Sequence, residues 1–380
     1  MARTRIVHII NSFEFGGAEA MLCNLLLNTD LKRFEPSVVA LIDDMTIAAP
    51  IIKAGIPLVT MGMQSGIPDP RAVFRLAKHL RLQNPQIIQT WMDHSNLVGG
   101  LAAVMVGGSK VVWGVHHSNH VAGVTKKTTM MTVNLSAGLS RMIPEKIILC
   151  SEHSQKMYAA RGFCNQKMIV IPNGFNTSIF KPDPESRSAI RHEIGIDQST
   201  PLIGLIARYD PNKDHANFLN AAALLIKSNP DVHFLMCGKD VTEQNATLME
   251  QIRSLSLQNH VHLLGPRRDV SRIYSALDIN ATSSLSEAFP LTVGESMACG
   301  VPNVTTDVGD TRLMVGETGI VVPAQNSQLL ADGFKKMLEL PTSQRAQLSD
   351  AARKRVCELF DLTSVTRRYE AVYDQILNRT

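Results

Sequence analysis

The stretch PLIGLIARYDPNK, residues 201–213, decides the fold. Residues 201–207 form a continuous apolar run, which is typical of a strand buried on both faces of a parallel sheet. A loop with a proline and two cations follows, and residues 214–228 then have the spacing of an amphipathic helix. A strand, a short loop and a helix in this order predict one βα unit of an α/β fold.

The same alternation continues in both directions from this unit. Toward the C-terminus we predict strands at 232–237, 260–264, 279–282 and 302–305 and helices at 243–256 and 292–299. Toward the N-terminus we predict strands at 5–10, 36–41, 86–90, 110–115 and 146–150 and helices at 17–28 and 71–82. Apolar strands that alternate with helices indicate parallel sheets covered on both faces.

The alternation is interrupted at residues 171–186. This segment reads IPNGFNTSIFKPDPES, and its prolines and small polar residues predict a linker. The last stretch, 342–379, has helical spacing and is not followed by a strand. We therefore predict an α/β protein of two tandem Rossmann-like domains that face each other across a cleft: residues 1–175, completed by a C-terminal helix at 362–380, and residues 176–361.

Composition and charge exclude several classes of protein. The net charge of 38 − 34 = +4 is too small to mark a nucleic-acid-binding surface, and aromatic residues at 5% are too few for base-stacking platforms. The six cysteines never form a C-x-x-C pair, so neither a disulfide framework nor a zinc site is expected. They are interpreted as thiols in a reducing compartment, most of them buried.

No targeting or spanning segment is expected. The first apolar run has about five residues, which is too short for the core of a signal peptide. The uncharged stretch at 97–108 is shorter than a membrane span and is predicted to be a buried helix. The sequence therefore indicates a cytoplasmic protein.

Two glutamates mark the most specific motif, SSLSEAFPLTVGESMACGVP at residues 283–302. Pro290 is expected to begin a short helix that ends before residue 300. Glu287 then lies in the loop before the helix and Glu295 in its first turns, and free backbone N–H groups near residues 291–293 suit a phosphate. Carboxylates pair with hydroxyl groups, so Glu295 suits a ribose diol and Glu287 a sugar.

Two cations follow the strand at 201–207. Arg208 and Lys213 leave the strand end in a proline-containing loop, where they can converge on one diphosphate. They would stabilise charge on a leaving nucleoside diphosphate, a task that a metal ion performs in other enzymes. The sequence has no D-x-D-type pair near a strand end, and no metal is expected.

Further candidates follow strands of the N-terminal half. Gly16 and Gly17 either let the backbone approach a phosphate or only form a turn, and the G-x-G-x-x-G fingerprint of dinucleotide binding is absent. His116 lies in WGVHHSNH, residues 113–120, and three interpretations are open for it: a metal ligand, a structural residue or a substrate contact. The segment follows a strand and has no neighbouring carboxylate or thiolate, which disfavours the metal.

These residues together resemble the family 4 glycosyltransferases of the GT-B fold, which are retaining, metal-independent and dependent on nucleotide sugars. The resemblance extends over nearly the whole chain and is most specific at 287–302. It implies that Glu295 holds the ribose, Glu287 and His116 the donor sugar, and Arg208 and Lys213 the diphosphate. It also implies that the nucleotide-sugar site includes Gly16, Gly17, Arg267, Phe289, Pro290, Leu291 and Thr292.

We therefore expect a glycosyltransferase that moves a hexose or N-acetylhexosamine from a nucleotide diphosphate sugar, with UDP preferred, to a glycan or lipid-linked acceptor in bacterial surface polysaccharide synthesis. No separate cofactor is expected. A sugar-nucleotide epimerase on the same fold and a non-catalytic nucleotide-sugar-binding module are the alternatives. Two interpretations are open for the basic amphipathic helix at 71–82 and residues 126–131: peripheral contact with the inner face of the cell membrane, or a core-facing helix with a solvated basic face.

Overall fold

The computed structural model describes residues 3–14, 16–64, 69, 71–117 and 127–378. Its strands are β1 (Thr4–Ile10), β2 (Phe34–Ile42), β3 (Leu58–Met63), β4 (Ile87–Trp91), β5 (Lys110–Val115), β6 (Lys146–Leu149), β7 (Met168–Val170), β8 (Leu202–Ile206), β9 (His233–Cys237), β10 (Val261–Leu263), β11 (Ile279–Thr282), β12 (Asn303–Thr306) and β13 (Gly319–Val322). Its helices are α1 (Gly17–Asn28), α2 (Ala49–Lys53), α3 (Arg71–Gln83), α4 (Asp93–Val106), α5 (Lys127–Leu139), α6 (Glu152–Ala160), α7 (Pro184–Glu193), α8 (His215–Leu225), α9 (Ala246–Ser254), α10 (Val270–Ala276), α11 (Leu291–Ala298), α12 (Thr311–Val315), α13 (Ser327–Leu338), α14 (Thr342–Leu359) and α15 (Leu362–Leu377).

The chain divides into two compact units. One unit is Met1–Gly174 with Leu362–Thr380, and the other is Phe175–Asp361. The boundary predicted after residue 175 lies one residue from this division. The C-terminal helix α15 belongs to the first unit, where its buried face joins the apolar cluster that also contains side chains of β1 and α1.

Each unit contains one parallel sheet. The strand order is β3-β2-β1-β4-β5-β6-β7 in the first unit and β10-β9-β8-β11-β12-β13 in the second. In both sheets the first strand of the unit lies beside the fourth, which is the doubly wound order of the Rossmann fold. Apolar clusters cover both faces of each sheet. The predicted α/β fold of two Rossmann-like domains is therefore confirmed.

The predicted strands at 110–115 and 279–282 coincide with β5 and β11, whereas β3, β7 and β13 were not predicted. β3 lies at a sheet edge, where all its residues are exposed or half-buried, and Thr60 and Gly62 interrupt the continuous apolar run that is typical of a buried strand. β7 has only three residues, and β13 begins with a glycine. Hydrophobic periodicity therefore does not predict strands that are short or exposed.

Two other predictions need correction. The linker predicted at 171–186 ends earlier, because Pro184 begins α7 and the Asp183 carboxylate accepts hydrogen bonds from the next two free N–H groups of the helix. The stretch at 97–108 is helical within α4 but is not buried all round, since Leu101, Val104 and Met105 are exposed. Within the described ranges, no helix combines the length and the apolar character needed to cross a bilayer.

Candidate functional site

The candidate site lies where the strand order of the second sheet reverses. β8 is followed along the chain by β9 on one side, and β11 is followed by β12 on the other, so the loops after β8 and β11 leave the sheet next to each other. Ligands of doubly wound sheets bind at this switch point. The two motifs predicted from the sequence, residues 208–213 and 283–295, follow these two strands.

The loop after β8 is held by its own acidic side chains. The Asp210 carboxylate accepts a hydrogen bond from the Asn212 N–H at 2.9 Å and one from Arg208 Nε at 3.3 Å. Asp214 adopts a left-handed conformation, φ 47°, and its carboxylate caps α8 by accepting from the Asn217 N–H at 3.1 Å. The loop is therefore ordered, while the Arg208 side chain stays 54% exposed and available to an anion.

The two motif loops are joined by an ion pair. Lys213 Nζ lies 2.5 Å from Glu287 Oε1, and the Ser284 hydroxyl donates to the same oxygen at 2.8 Å. The Ser283 hydroxyl donates to the Lys213 carbonyl at 2.7 Å, and the Leu285 N–H donates to the Asn212 carbonyl at the same distance. The lysine and the first motif glutamate are 74 residues apart in the chain but are in direct contact. An anion bound by Lys213 would therefore lie next to the Glu287 carboxylate.

The second motif glutamate lies on the short helix predicted from the sequence. Pro290 precedes α11, Leu291 and Thr292 form its first turn, and Gly300 with φ 71° follows its end. The predicted set of free N–H groups at 291–293 needs one correction, because the Val293 N–H donates to the Pro290 carbonyl at 3.2 Å. The N–H groups of Leu291 and Thr292 remain for a ligand.

Glu295 has a partner that the sequence did not indicate. The hydroxyl of Tyr274, a fully buried residue of α10, donates to Glu295 Oε2 at 3.0 Å. Burial raises the pKa of Glu295 to about 7, and the Tyr274 hydrogen bond opposes this rise. A buried tyrosine 21 residues upstream on another helix leaves no motif, so only the structure reveals this pair.

Two glycines fix the surroundings of the glutamates. Gly309 has φ 56°, and a Cβ there would lie 2.3 Å from the Glu287 carbonyl oxygen, so the loop after β12 contacts the Glu287 loop directly. At Gly294 a Cβ would lie 2.1 Å from the Phe175 ring. Phe175 in turn stacks on Phe289 at 6.2 Å between ring centroids. The Phe289 ring, predicted as part of the nucleotide-sugar site, is therefore a buried core side chain beneath the motif.

Arg267 follows β10 at the same edge of the sheet. Its guanidinium donates to both oxygens of Asp269 at 2.8 Å and to Glu193 Oε1 at 2.5 Å. These two carboxylates raise its pKa above the usual value. The Arg267 guanidinium, predicted as part of the nucleotide-sugar site, is thus engaged by two carboxylates in this structure and stabilises the loop after β10.

The first unit carries the remaining candidates. Gly16 caps α1 and Gly17 begins it, directly after β1. A Cβ on Gly16 would lie 2.1 Å from Glu19 Oε2, so the glycine makes room for this carboxylate over the helix start. A phosphate approaching this N-terminus would meet the Glu19 carboxylate.

His116 follows β5 and lies in a stack of aromatic rings. Its imidazole is 4.7 Å from the Trp91 ring at an interplanar angle of 17°, and Trp91 stacks in turn on Tyr369 of α15 at 6.0 Å. Burial lowers the pKa of His116 to about 4, although the Asn173 side chain opposes the shift, so the imidazole is neutral near pH 7. His117 is exposed, and its carbonyl accepts from the Ser154 hydroxyl at 3.3 Å.

The histidine segment does not assemble a metal site in the part that the structure describes. His120 lies outside the described residues. Across those that are described, no three His, Cys, Asp or Glu side chains are grouped so as to hold a metal ion. Of the cysteines, Cys23, Cys150, Cys237 and Cys299 are buried, and Cys164 and Cys357 are half-buried.

Two sequence families match the chain. The family described as Glycosyltransferase Family 4 matches residues 15–179, and the family described as Glycosyl transferases group 1 matches residues 186–355. A D-inositol 3-phosphate glycosyltransferase of Segniliparus rotundus is 25% identical over 248 residues, 60% of this chain and 54% of the relative. The chain thus spans about half the length of this relative.

Other similarities extend further along the chain. The UDP-Gal:alpha-D-GlcNAc-diphosphoundecaprenol alpha-1,3-galactosyltransferase of Escherichia coli is 22% identical over 320 residues, 82% of this chain and 81% of the relative. The crystal structure of Anabaena HepE in complex with UDP superposes with a TM-score of 0.85 at 22% identity and covers 98% of this chain and 100% of its own. The predicted GT-B fold is confirmed by this likeness. Because the two family matches together take in most of the chain, it belongs to the family 4 glycosyltransferases.

Proposed function

We propose that this chain is a retaining glycosyltransferase that moves a hexose or N-acetylhexosamine from a UDP-sugar to a glycan or lipid-linked acceptor in bacterial surface polysaccharide synthesis. The observation that carries the proposal is the ion pair between Lys213 and Glu287, which joins the two motif loops at the switch point of the second sheet. The Escherichia coli relative supports it, since its name gives UDP-galactose as donor and a diphosphoundecaprenol-linked acceptor. HepE was solved with UDP and with UDP-glucose.

Arg208 and Lys213 bind the diphosphate in this proposal. Negative charge grows on the diphosphate as its bond to the sugar breaks, and two cations fixed at the strand end stabilise that charge. Arg208 is 54% exposed and Lys213 is 23% exposed, and the two cations belong to the same short loop after β8. With both cations in place, transfer proceeds without a divalent metal ion.

The two glutamates recognise different parts of the donor. Glu287 uses Oε1 for Lys213 and Ser284, and its Oε2 has no hydrogen-bond partner among the described residues, so it can accept from a sugar hydroxyl. Glu295 lies in the second turn of α11 and accepts from Tyr274 through Oε2, which leaves Oε1 for the ribose. Both glutamates are thereby assigned to hydroxyl groups, and neither serves as the base for an inverting attack. The product is therefore expected to retain the anomeric configuration of the donor.

A lipid-linked acceptor lies at a membrane. We therefore expect the enzyme to act at the inner face of the cell membrane as a peripheral protein, in contact with the lipid surface but not spanning it.

The division of labour between the glutamates is tested by comparing UDP with a UDP-sugar. Glu295→Ala should weaken binding of both ligands by roughly tenfold or more, because both contain the ribose. Glu287→Ala should leave UDP binding unchanged or stronger, because it frees Lys213, and should weaken only the UDP-sugar. Glu250→Ala, at a side chain that is 74% exposed, is the control. Equal losses for both ligands in both motif variants would refute the assignment.

A further inference from the structure

The outer face of three helices in the first unit is unusually apolar. Helices α3, α4 and α5 pack side by side on one face of the sheet, with α4 in contact with both neighbours. Of seventeen large apolar side chains that are exposed among the described residues, eight lie on these helices or directly after them. They are Phe74 and Leu82 of α3, Leu101, Val104 and Met105 of α4, Met131 and Leu135 of α5, and Met142.

The exposed side chains of α4 and α5 form continuous stripes. Leu101, Val104 and Met105 follow each other at the i, i+3 and i+4 positions of α4, and they are 37%, 62% and 40% exposed. Met131 and Leu135 are one turn apart on α5 and are 59% and 51% exposed. We name these residues, with Phe74, Leu82 and Met142, the apolar face. Exposed apolar side chains that cluster on neighbouring helices, unlike single ones scattered over the surface, indicate a contact site.

Charge around the apolar face has one sign. Residues 71–142 contain eight Lys and Arg and one acidic residue, 8 − 1 = +7, while the rest of the chain carries 30 − 33 = −3. The acidic residue is Asp93, which is buried and accepts from the Tyr158 hydroxyl at 2.9 Å. The nearest acids at the ends of the segment, Asp69 and Glu145, are ion-paired with Arg75 and Lys110.

The remaining cations border the apolar face. Lys78 and Arg81 are exposed on α3 between Phe74 and Leu82, and Lys127 is exposed at the start of α5. Apolar side chains that are flanked by exposed cations, in a segment 71–142 whose one acidic residue is buried, are complementary to an anionic lipid surface, where the apolar groups enter the acyl boundary and the cations remain at the headgroups. An acidic protein partner would need apolar pockets spaced to fit three helices, whereas a bilayer needs none.

We propose that the apolar face of α3, α4 and α5 is the surface by which the protein docks on an anionic membrane. This proposal rests on the proposed function in one respect: docking would bring the first unit to a lipid-linked acceptor. The docking itself follows from the surface and does not require catalysis.

Flotation with vesicles tests the proposal on the full chain. Vesicles of phosphatidylcholine with phosphatidylglycerol should carry the protein, vesicles of phosphatidylcholine alone should carry little, and added salt should weaken the binding. Val104→Ser with Leu135→Ser should lower the vesicle partition coefficient by about tenfold, and Lys78→Glu with Lys127→Glu by about tenfold or more. Ile179→Ser and Lys227→Glu, at exposed positions of the second unit, are the matched controls and should change it little.

Several results would overturn the docking surface. They are the absence of vesicle binding, equal binding to neutral vesicles, equal losses in the control variants, or a concentration-dependent dimer that the Val104→Ser, Leu135→Ser variant abolishes. UDP-sugar hydrolysis without acceptor should be unchanged in all four variants. If no protein hydrolyses or binds the UDP-sugar while vesicle binding persists, the proposed function fails and the docking surface stands.

Discussion

Binding of the UDP-sugar should strengthen as the pH rises, because the group assigned to the ribose is a buried carboxyl. Burial raises the pKa of Glu295 from its usual 4.5 to about 7. Near pH 7 the side chain is therefore divided between the carboxylic acid and the carboxylate. A ribose diol donates two hydrogen bonds, which favours the carboxylate, so the acid form should bind the donor weakly.

The size of the effect follows from the fraction of protein that carries the carboxylate. With a pKa of about 7, that fraction rises from about one tenth at pH 6 to about nine tenths at pH 8, and the apparent Kd should fall by roughly tenfold over this range. Binding should also release a proton, because the donor favours the deprotonated form. The diphosphate of a UDP-sugar is a diester and does not titrate in this interval, so the ligand contributes no slope of its own.

Isothermal titration calorimetry of a UDP-sugar at several pH values, in buffers of different ionisation enthalpy, measures both quantities. Glu295→Gln keeps the size of the side chain and cannot ionise, so its Kd should be weaker and independent of pH. A flat profile for the parent protein, or the same slope in Glu295→Gln, would refute the role of Glu295 and its raised pKa.

The same shift sets a stability prediction with a definite sign. Because the folded pKa of Glu295 is raised, its contribution to stability is present below about pH 4.5 and is lost as the pH rises to about 7. The loss is at most about 3.5 kcal/mol, since the pKa rises by about 2.5 units and one unit corresponds to about 1.4 kcal/mol. Urea unfolding of Glu295→Gln should show less loss over this interval than the parent, and parallel curves would contradict the shift.

Three further predictions concern the site and its frame. His116→Ala should lower kcat by roughly a hundredfold, while its affinity for UDP stays within a few-fold of the parent protein's. His117→Ala should lower kcat much less, and steady-state kinetics of both variants measure the difference. An inactive His117→Ala variant would reverse the assignment. Tyr274→Phe should move the midpoint of the binding profile upward by about one pH unit, because the carboxylate loses a donor, and an unmoved midpoint would show that the contact is only structural. Gly294→Ala should lower the free energy of unfolding in urea by about 1–3 kcal/mol, because the added methyl group overlaps the Phe175 ring. Gly138→Ala, at a position on α5 with open space around it, should be neutral or stabilising. Equal effects of the two substitutions would contradict the packing explanation.

How much of the fold could be predicted depends on how strongly each element is buried. β5 and β11 are buried along almost their whole length, and their predicted bounds match the structure to the residue, although only β5 is largely an apolar run and β11 contains Asn280 and Thr282. β3 is an edge strand whose residues are all half-buried or exposed. Its sequence LVTMGM is largely apolar, but Thr60 and Gly62 interrupt the continuous apolar run by which the buried strands were predicted. Pro184 was interpreted as part of a linker, although it occupies the first position of α7, where proline is favoured.

The contacts between residues of the candidate site could not be predicted from the sequence either. The sequence places Lys213 and Glu287 at the ends of two strands, but their direct contact depends on β8 lying beside β11, and the strand order is not encoded in the alternation. The contact between Tyr274 and Glu295 depends on how α10 packs against α11. The motifs therefore predicted a set of candidate residues, and the topology determines which of them touch.

The most direct test of the central claim is the binding of UDP to the purified protein in the presence of EDTA. If Arg208 and Lys213 neutralise the diphosphate, UDP should bind without a divalent metal ion, and UDP at roughly ten times its Kd should stabilise the fold by about 1.4 kcal/mol in a thermal unfolding experiment. GDP under the same conditions should stabilise it less. Loss of UDP binding on adding EDTA, or stabilisation by GDP alone, would contradict the account.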